Sequence, residues 1–268
     1  MGILDLLNGY DDTANFLGQQ DRLSDDLIAL EQASEAWQGD VPVRVGESGT
    51  LYRFLSFVSW KFCLDKEFII DGTLLNRSIT RNPAIVNLPQ RELLQLDHQT
   101  SQWASAAALC GDPERLANPP NKLRLSYKAI EHWNEQRAQE HSWLPRHDIT
   151  IARQAAVFQA LNRGESAQFE PAQAEDYCFA VVLDYITPEE GAARWPNLAG
   201  HESNRALEMA VMMERARLGQ SISSHDHRVV QAVAMWGRLA DHEVTFEHPE
   251  AVNKSWSEFW NFLSETPQ

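Results

Sequence analysis

The chain has 268 residues, with 38 acidic against 23 basic side chains and a formal net charge of -15. A surface of that sign repels nucleic acid and anionic membranes, which argues against both as partners. No run is long and apolar enough for a transmembrane helix, and the start, Met1-Gly2-Ile3-Leu4-Asp5, has no basic segment ahead of an apolar core, so the expected location is the cytoplasm. The length allows one large or two modest domains, and 43% hydrophobic content is ordinary for a globular chain. Cys63, Cys110 and Cys178 are odd in number and set in apolar sequence, which predicts reduced core thiols rather than disulfides or a metal cluster.

The first forty residues predict two polar helical segments, one over Asp12 to Leu17 and one opening at Ser24 with Asp25 and Asp26 as early acids. Val41 to Val45 alternates like a short strand. The turn Gly46-Glu47-Ser48-Gly49-Thr50 then leads into an amphipathic helix through Leu51, Phe54, Leu55, Val58 and Phe62, with Arg53 in its first turn. A strand-like Glu67 to Thr73 precedes Asn76-Arg77-Ser78-Ile79. Asp97 to Gln102 reads as the cap of an alanine-rich helix ending at Gly111, and Leu123 to Arg137 is again helical, with Ser126 and Tyr127 near its head.

Further on, Glu175 and Asp176 precede an apolar helix, where acids serve equally as chemical groups or as partners of the helix dipole. Three basic motifs follow: His201-Glu202-Ser203-Asn204-Arg205, His225-Asp226-His227-Arg228 and Asn253-Lys254-Ser255-Trp256. The first two open helical patterns, through Leu207, Ala210, Val211 and Leu218 to a stop at Gly219, and through Val229, Val230, Val233 and Leu239. Arginines in first turns add charge where unpaired N–H groups and the helix dipole already favour an anion, so Arg205 and Arg228 point to a phosphate or carboxylate. For Arg53 alone a surface ion pair is the default. His225, Asp226 and His227 lack a fourth ligand at a clear spacing, and no metal is expected. Trp256, Phe259, Trp260 and Phe262 have the spacing of core aromatics.

Taken in order, Gly49-Thr50 with Arg53, Arg77-Ser78-Ile79, Thr100-Ser101-Gln102, Tyr127, Glu202 with Arg205, Asp226-His227-Arg228, and Lys254-Ser255 before Phe259-Trp260 resemble the motif series of the 5-enolpyruvylshikimate-3-phosphate synthase family. The resemblance runs from about Asp11 to Leu263. It implies an α/β (α+β) fold of two domains, at 1–165 and 166–268, each built of repeated β-α units with helices packed inside a layer of sheet and a ligand cleft between them.

The same resemblance implies an enolpyruvyl (carboxyvinyl) transferase that joins phosphoenolpyruvate to a small phosphorylated cyclic acid such as shikimate 3-phosphate, with no cofactor. Gly49, Arg77, Gln102, Arg205, Arg228 and Lys254 look like the phosphoenolpyruvate clamp, with Arg53 in the same motif. Planar guanidinium forks and a compact ammonium suit such a small anion. Thr100, Ser101 and Tyr127 resemble the part that holds the acceptor phosphate, and Arg124 stands where the family has a further hydroxyl. Glu202 resembles the family's proton-transfer glutamate, and the second carboxylate is expected at Asp176, or else at Glu175.

The chain also departs from the family. The resemblance starts after the family's first strand and Lys-Ser turn, and no residue here replaces them. The stretches from Arg77 to Thr100, from Tyr127 to Glu175 and from Arg205 to Arg228 are shorter, as in a miniaturised relative. His201 and Asn204 stand where the family has a lysine and an acid; a histidine donates a proton near neutral pH but reaches less far. Two alternatives follow from these departures. One is a descendant that binds a phosphorylated metabolite without turnover, and the other an enzyme for another reaction, such as phosphate elimination, on a phosphorylated carbocycle.

Overall fold

The computed structural model describes residues 2–111, 119–138 and 149–266, and is mostly helical with two short parallel strands. Its contacts divide the chain into two compact units, Met1–Pro145 and Arg146–Gln268. The division comes before the helix Ile149–Asn162, earlier than the 165/166 boundary expected from sequence, because Phe158 of that helix is fully buried in a core cluster with Phe179, Val230 and Phe259 of the second unit.

In the first unit, strand Val43–Gly46 feeds helix Gly49–Lys61, and strand Phe68–Ile70 pairs with the first in parallel, Val43 opposite Phe68 and Arg44 opposite Ile69. Ser48 caps the helix by accepting from the Leu51 N–H. Nine of its 13 residues are buried, which makes it the axis of this unit. The alanine-rich helix Gln102–Leu109 lies against it, with Trp103, Ala104, Ala106 and Ala107 meeting Leu51, Leu55, Phe57 and Val58 in one core. Small side chains let the two backbones approach closely, while each fully buried large one, such as Phe57, contributes about 1.5 to 3 kcal/mol.

A helix absent from the sequence reading, Gly2–Asn8, precedes the two expected near Asp12 and Ser24, which span Asp12–Leu17 and Asp25–Trp37. Its Asp5 is fully buried and accepts from Trp133 and Arg137 of helix Arg124–Ala138 and from the Thr13 hydroxyl. The guanidinium of Arg137 also covers the Tyr10 ring, 3.7 Å from its centroid.

In the second unit, helix His227–Leu239 is central, with ten of its 13 residues buried. Helices Tyr177–Val182 and Arg205–Arg217 pack on it, and Trp256, Phe259, Trp260 and Phe262 belong to its aromatic core as their spacing predicts. Gly219, at φ 67, follows the end of helix Arg205–Arg217, in the conformation a glycine adopts without steric cost. Extended structure here is limited, among the described residues, to one bridge between Ile222 and Phe246. Where a strand-turn-helix unit would repeat the first unit, the segment ahead of His201 is a 3-10 turn, Pro196–Gly200: its proline opens the turn and the run lacks the alternation a strand needs.

Candidate functional site

Two arginine-centred clusters stand at helix starts, one in each unit. In the first, Arg53 is not a surface residue: it is 5% exposed and its Nε donates to Asp97 Oδ2 at 2.8 Å, while Nη1 donates to Gln102 Oε1 at 2.7 Å and to the Gly49 carbonyl at 3.3 Å. Gln102 in turn donates to the Thr50 hydroxyl at 2.6 Å. Arg77 reaches the same place, its Nη2 donating to Thr73, whose hydroxyl donates to Glu47. A methyl group at Gly49 would lie 3.1 Å from both the Arg53 and the Arg77 guanidinium, so the glycine is what lets the two cations converge on this helix start.

Asp97 anchors that arrangement. Besides Arg53 it accepts from the Thr80 N–H and hydroxyl and from the Trp103 indole. Burial pushes its carboxyl up, but these donors and the Arg53 charge together hold it below the usual range. Asp97, His98 and Gln99 all have positive φ, at 46°, 60° and 63°. Three successive left-handed non-glycine residues are costly, and here they turn Asp97 inward to Arg53 rather than leave it as the cap the sequence predicts.

The expected acceptor-phosphate residues are divided. Thr100 and Ser101 adjoin Gln102, and the Thr100 hydroxyl accepts weakly from the Gln102 N–H at 3.4 Å. The Tyr127 hydroxyl instead accepts from Gln90 at 3.1 Å.

The second cluster gathers Glu202, Arg205, Asp226, His227, Arg228 and Lys254. Asn204 caps helix Arg205–Arg217, and Asp226 caps helix His227–Leu239 by accepting from the Arg228 N–H at 3.0 Å. Arg205 Nε contacts both oxygens of Asp226, at 3.1 and 2.8 Å, with side chains 2% and 0% exposed. Glu202 takes His227 Nδ1 at 2.5 Å and the His227 N–H at 3.2 Å on one oxygen and Lys254 Nζ at 3.2 Å on the other. Burial raises the Glu202 carboxyl, but the charges of His227, Lys254 and Arg205 outweigh it and hold it well below its ordinary value.

Arg228 differs from its neighbours. It is 6% exposed, its side chain donates only to Gln231 Oε1, at 3.4 Å, and its Nε has no hydrogen-bond partner among the described residues; the same holds for Arg205 Nη1. Glu202 faces His227 and Lys254 and Asp226 faces Arg205, which leaves the Arg228 guanidinium as the cation that no carboxylate contacts among the described residues. A buried guanidinium with no counter-ion is costly, so the arrangement favours an incoming anion. The ligand atoms of Glu202, Asp226 and His227 lie within 4.8 Å of one another, close enough for a metal, but Lys254 and Arg205 already take the negative charge that a cation would need. Cys178, fully buried in the adjoining helix, is pushed up by burial and stays a thiol.

Comparison with protein-family models, curated proteins and solved structures found no match to this chain.

The remaining expected acids stand apart from this cluster in their contacts. Asp176 is fully buried and closes a capping box with Gln173 at the 3-10 turn Ala174–Asp176: Oδ1 accepts from Gln154, and Oδ2 from Arg153 and from the N–H groups of Ala172 and Gln173. The carboxylate is therefore structural in this geometry, saturated by donors. Glu175 offers its backbone carbonyl to Gln154, and the His201 ring meets Asn197 at 3.3 Å. Sequence reasoning placed Asp97 only in a helix cap and missed Thr80 and Trp103, and it quoted Asp226 and His227 as motif residues without giving them a place in the site. The signal for Asp226 was local: a short acid directly ahead of an apolar helical run is a capping residue, and here its carboxylate also takes Arg205.

Proposed function

We propose that the chain is an enolpyruvyl (carboxyvinyl) transferase-like enzyme that takes phosphoenolpyruvate and a small phosphorylated hydroxy acid such as shikimate 3-phosphate. The observation that carries the reading is the buried Arg228 without a counter-ion beside Arg205, whose Nη1 is unspent. Fixed, dry guanidinium donors bind carboxylate or phosphate with no reorganisation of their own. In this chemistry the acceptor hydroxyl oxygen bonds to the enol carbon while the methylene carbon gains a proton; the bond to phosphate oxygen then breaks as the methyl group returns a proton. Glu202 is ionised and can accept a proton. Lys254, a flexible ammonium, can turn from Glu202 to the ligand, and losing that partner raises the carboxylate's proton affinity.

A second reading, binding of a phosphorylated metabolite without turnover, is favoured by one observation. The oxygens of Asp176 are filled by structural donors, which leaves the second carboxylate unassigned. Isothermal titration with phosphoenolpyruvate, alone and with shikimate 3-phosphate, followed by a phosphate-release assay on the same mixture, separates the two. Binding with release supports transfer, binding without release supports the second reading, and no binding of either compound removes both.

A further inference from the structure

Gln231 follows Arg228 by three positions in helix His227–Leu239, so the two side chains share a face. Gln231 is 3% exposed and stands between two parts of the charged cluster: its Oε1 accepts from Arg228 Nη1 at 3.4 Å, and its Nε2 donates to Ser255 Oγ at 3.3 Å. The amide fits only this way round. A guanidinium has donors and no acceptor, so the carbonyl oxygen must meet Arg228, which turns the NH2 group to the hydroxyl. Ser255 follows Lys254 at the end of the 3-10 turn Pro249–Lys254, and Val252 of that turn is fully buried with Val230 of the helix in one core. Gln231 therefore joins the helix that carries Arg228 to the turn that carries Lys254.

The residue type matters as much as its place. Asp226 takes Arg205, and Glu202 takes His227 and Lys254, yet the side chain that meets Arg228 is a neutral amide with the shape of a glutamate. A carboxylate there would give Arg228 an ion pair, and its second oxygen would accept from the Ser255 hydroxyl, which has a proton to donate. Glutamine supplies direction without charge.

We propose that Gln231 is a positioning residue of the anion site: it aims the Arg228 guanidinium and, being uncharged, leaves the positive charge of Arg228 for a phosphate or carboxylate ligand. This role rests on the reading of Arg228 as part of the phosphoenolpyruvate clamp. It sets anion affinity against the stability of the empty protein, because a buried cation without a counter-ion is destabilising and a fixed carboxylate would relieve it. Substitution by glutamate should move affinity and stability in opposite directions, whereas a side chain with a packing role alone moves them together.

Isothermal titration of the full chain with phosphoenolpyruvate and, separately, with inorganic phosphate, beside thermal unfolding without ligand, tests this on wild type, Gln231→Glu and Gln231→Met. Gln231→Glu should bind either anion about ten- to a hundredfold more weakly, the range for hydrogen bonds to charged groups, and melt at a higher temperature than wild type. Gln231→Met, close in volume but without an amide, keeps the free charge and loses the aim, and should weaken binding by about three- to tenfold. Variants that both bind as wild type does overturn the proposal. So does a Gln231→Glu protein that loses affinity and also melts lower, since that is loss of structure alone. A wild type that binds phosphate but not phosphoenolpyruvate removes the transferase reading, and weaker phosphate binding in a more stable Gln231→Glu then still supports the role of Gln231. A wild type that binds neither anion overturns both.

Discussion

Arg205 and Asp226 form a buried ion pair that joins the starts of two helices, the Arg205 Nε 2.8 Å from one carboxylate oxygen and 3.1 Å from the other. Removing one partner of such a pair leaves an isolated charge in the interior. Asp226→Asn should therefore lower the unfolding free energy by about 3 to 5 kcal/mol, read from urea denaturation, while Arg205→Met combined with Asp226→Leu should recover much of the loss. A stability change under 1 kcal/mol for Asp226→Asn would mean that the pair is solvated.

Glu202 gives a pH dependence of defined sign. Its folded-state proton affinity is depressed, so the ionised form contributes stability that is complete above the ordinary glutamate value of 4.5 and is lost as pH falls below it toward the folded value. Wild type and Glu202→Gln should differ most in thermal midpoint at neutral pH and converge as the solution is acidified below that point. Parallel curves across the acid range would contradict this.

Ligand binding tests the arginines of the proposed clamp. Arg228→Ala and Arg77→Ala should each weaken phosphoenolpyruvate binding by about 1.5 to 3 kcal/mol in isothermal titration, the range for hydrogen bonds to charged groups. Arg228→Ala also removes an uncompensated buried charge, so its unfolding midpoint should not fall in proportion. Equal affinity for phosphoenolpyruvate in both variants would exclude the clamp.

The left-handed run at Asp97, His98 and Gln99 yields a stabilising substitution. His98 is exposed and sits at φ 60°, so His98→Gly should relieve strain and raise stability by about 0.5 to 1 kcal/mol after the entropy cost of glycine. A denaturation midpoint that falls would show that the histidine side chain has a role of its own.

Asp176→Ala should destabilise by about 1.5 to 3 kcal/mol and leave phosphoenolpyruvate affinity unchanged, because its oxygens serve Arg153, Gln154 and two backbone N–H groups. Loss of turnover without loss of stability would return it to a chemical role.

Helix starts were the most legible part of the sequence. Ser48, Asn204 and Asp226 cap helices whose apolar spacing had announced them, and Arg205 and Arg228 stand in the first turns that reading gives them, while Arg53 falls in the second turn of its helix. Local chemistry decides such features: a short polar side chain beside a periodic apolar run leaves the backbone few choices. What sequence reasoning missed depends on contacts far along the chain. Nothing near Asp97 announces that it will turn inward to a residue 44 positions earlier, and nothing near Asp5 announces Trp133, 128 positions later. Buried carboxylates such as Asp176 were ambiguous for the same reason, since a catalytic and a capping acid look alike until their donors are seen. Both strands read from the residues, at Val41 to Val45 and Glu67 to Thr73, are present as Val43–Gly46 and Phe68–Ile70, whereas the wider layers of sheet rested on the family resemblance alone.

The placement of the cysteines gives the molecule a way of reporting on its own halves. Cys63 is exposed and Cys110 half-buried in the first unit, while the second unit holds one thiol, Cys178, shut away beside the charged cluster and resistant to ionisation. Alkylation requires thiolate and access together. A mass-spectrometric time course with iodoacetamide would therefore date the opening of the second unit by a single added label, separately from anything that happens in the first.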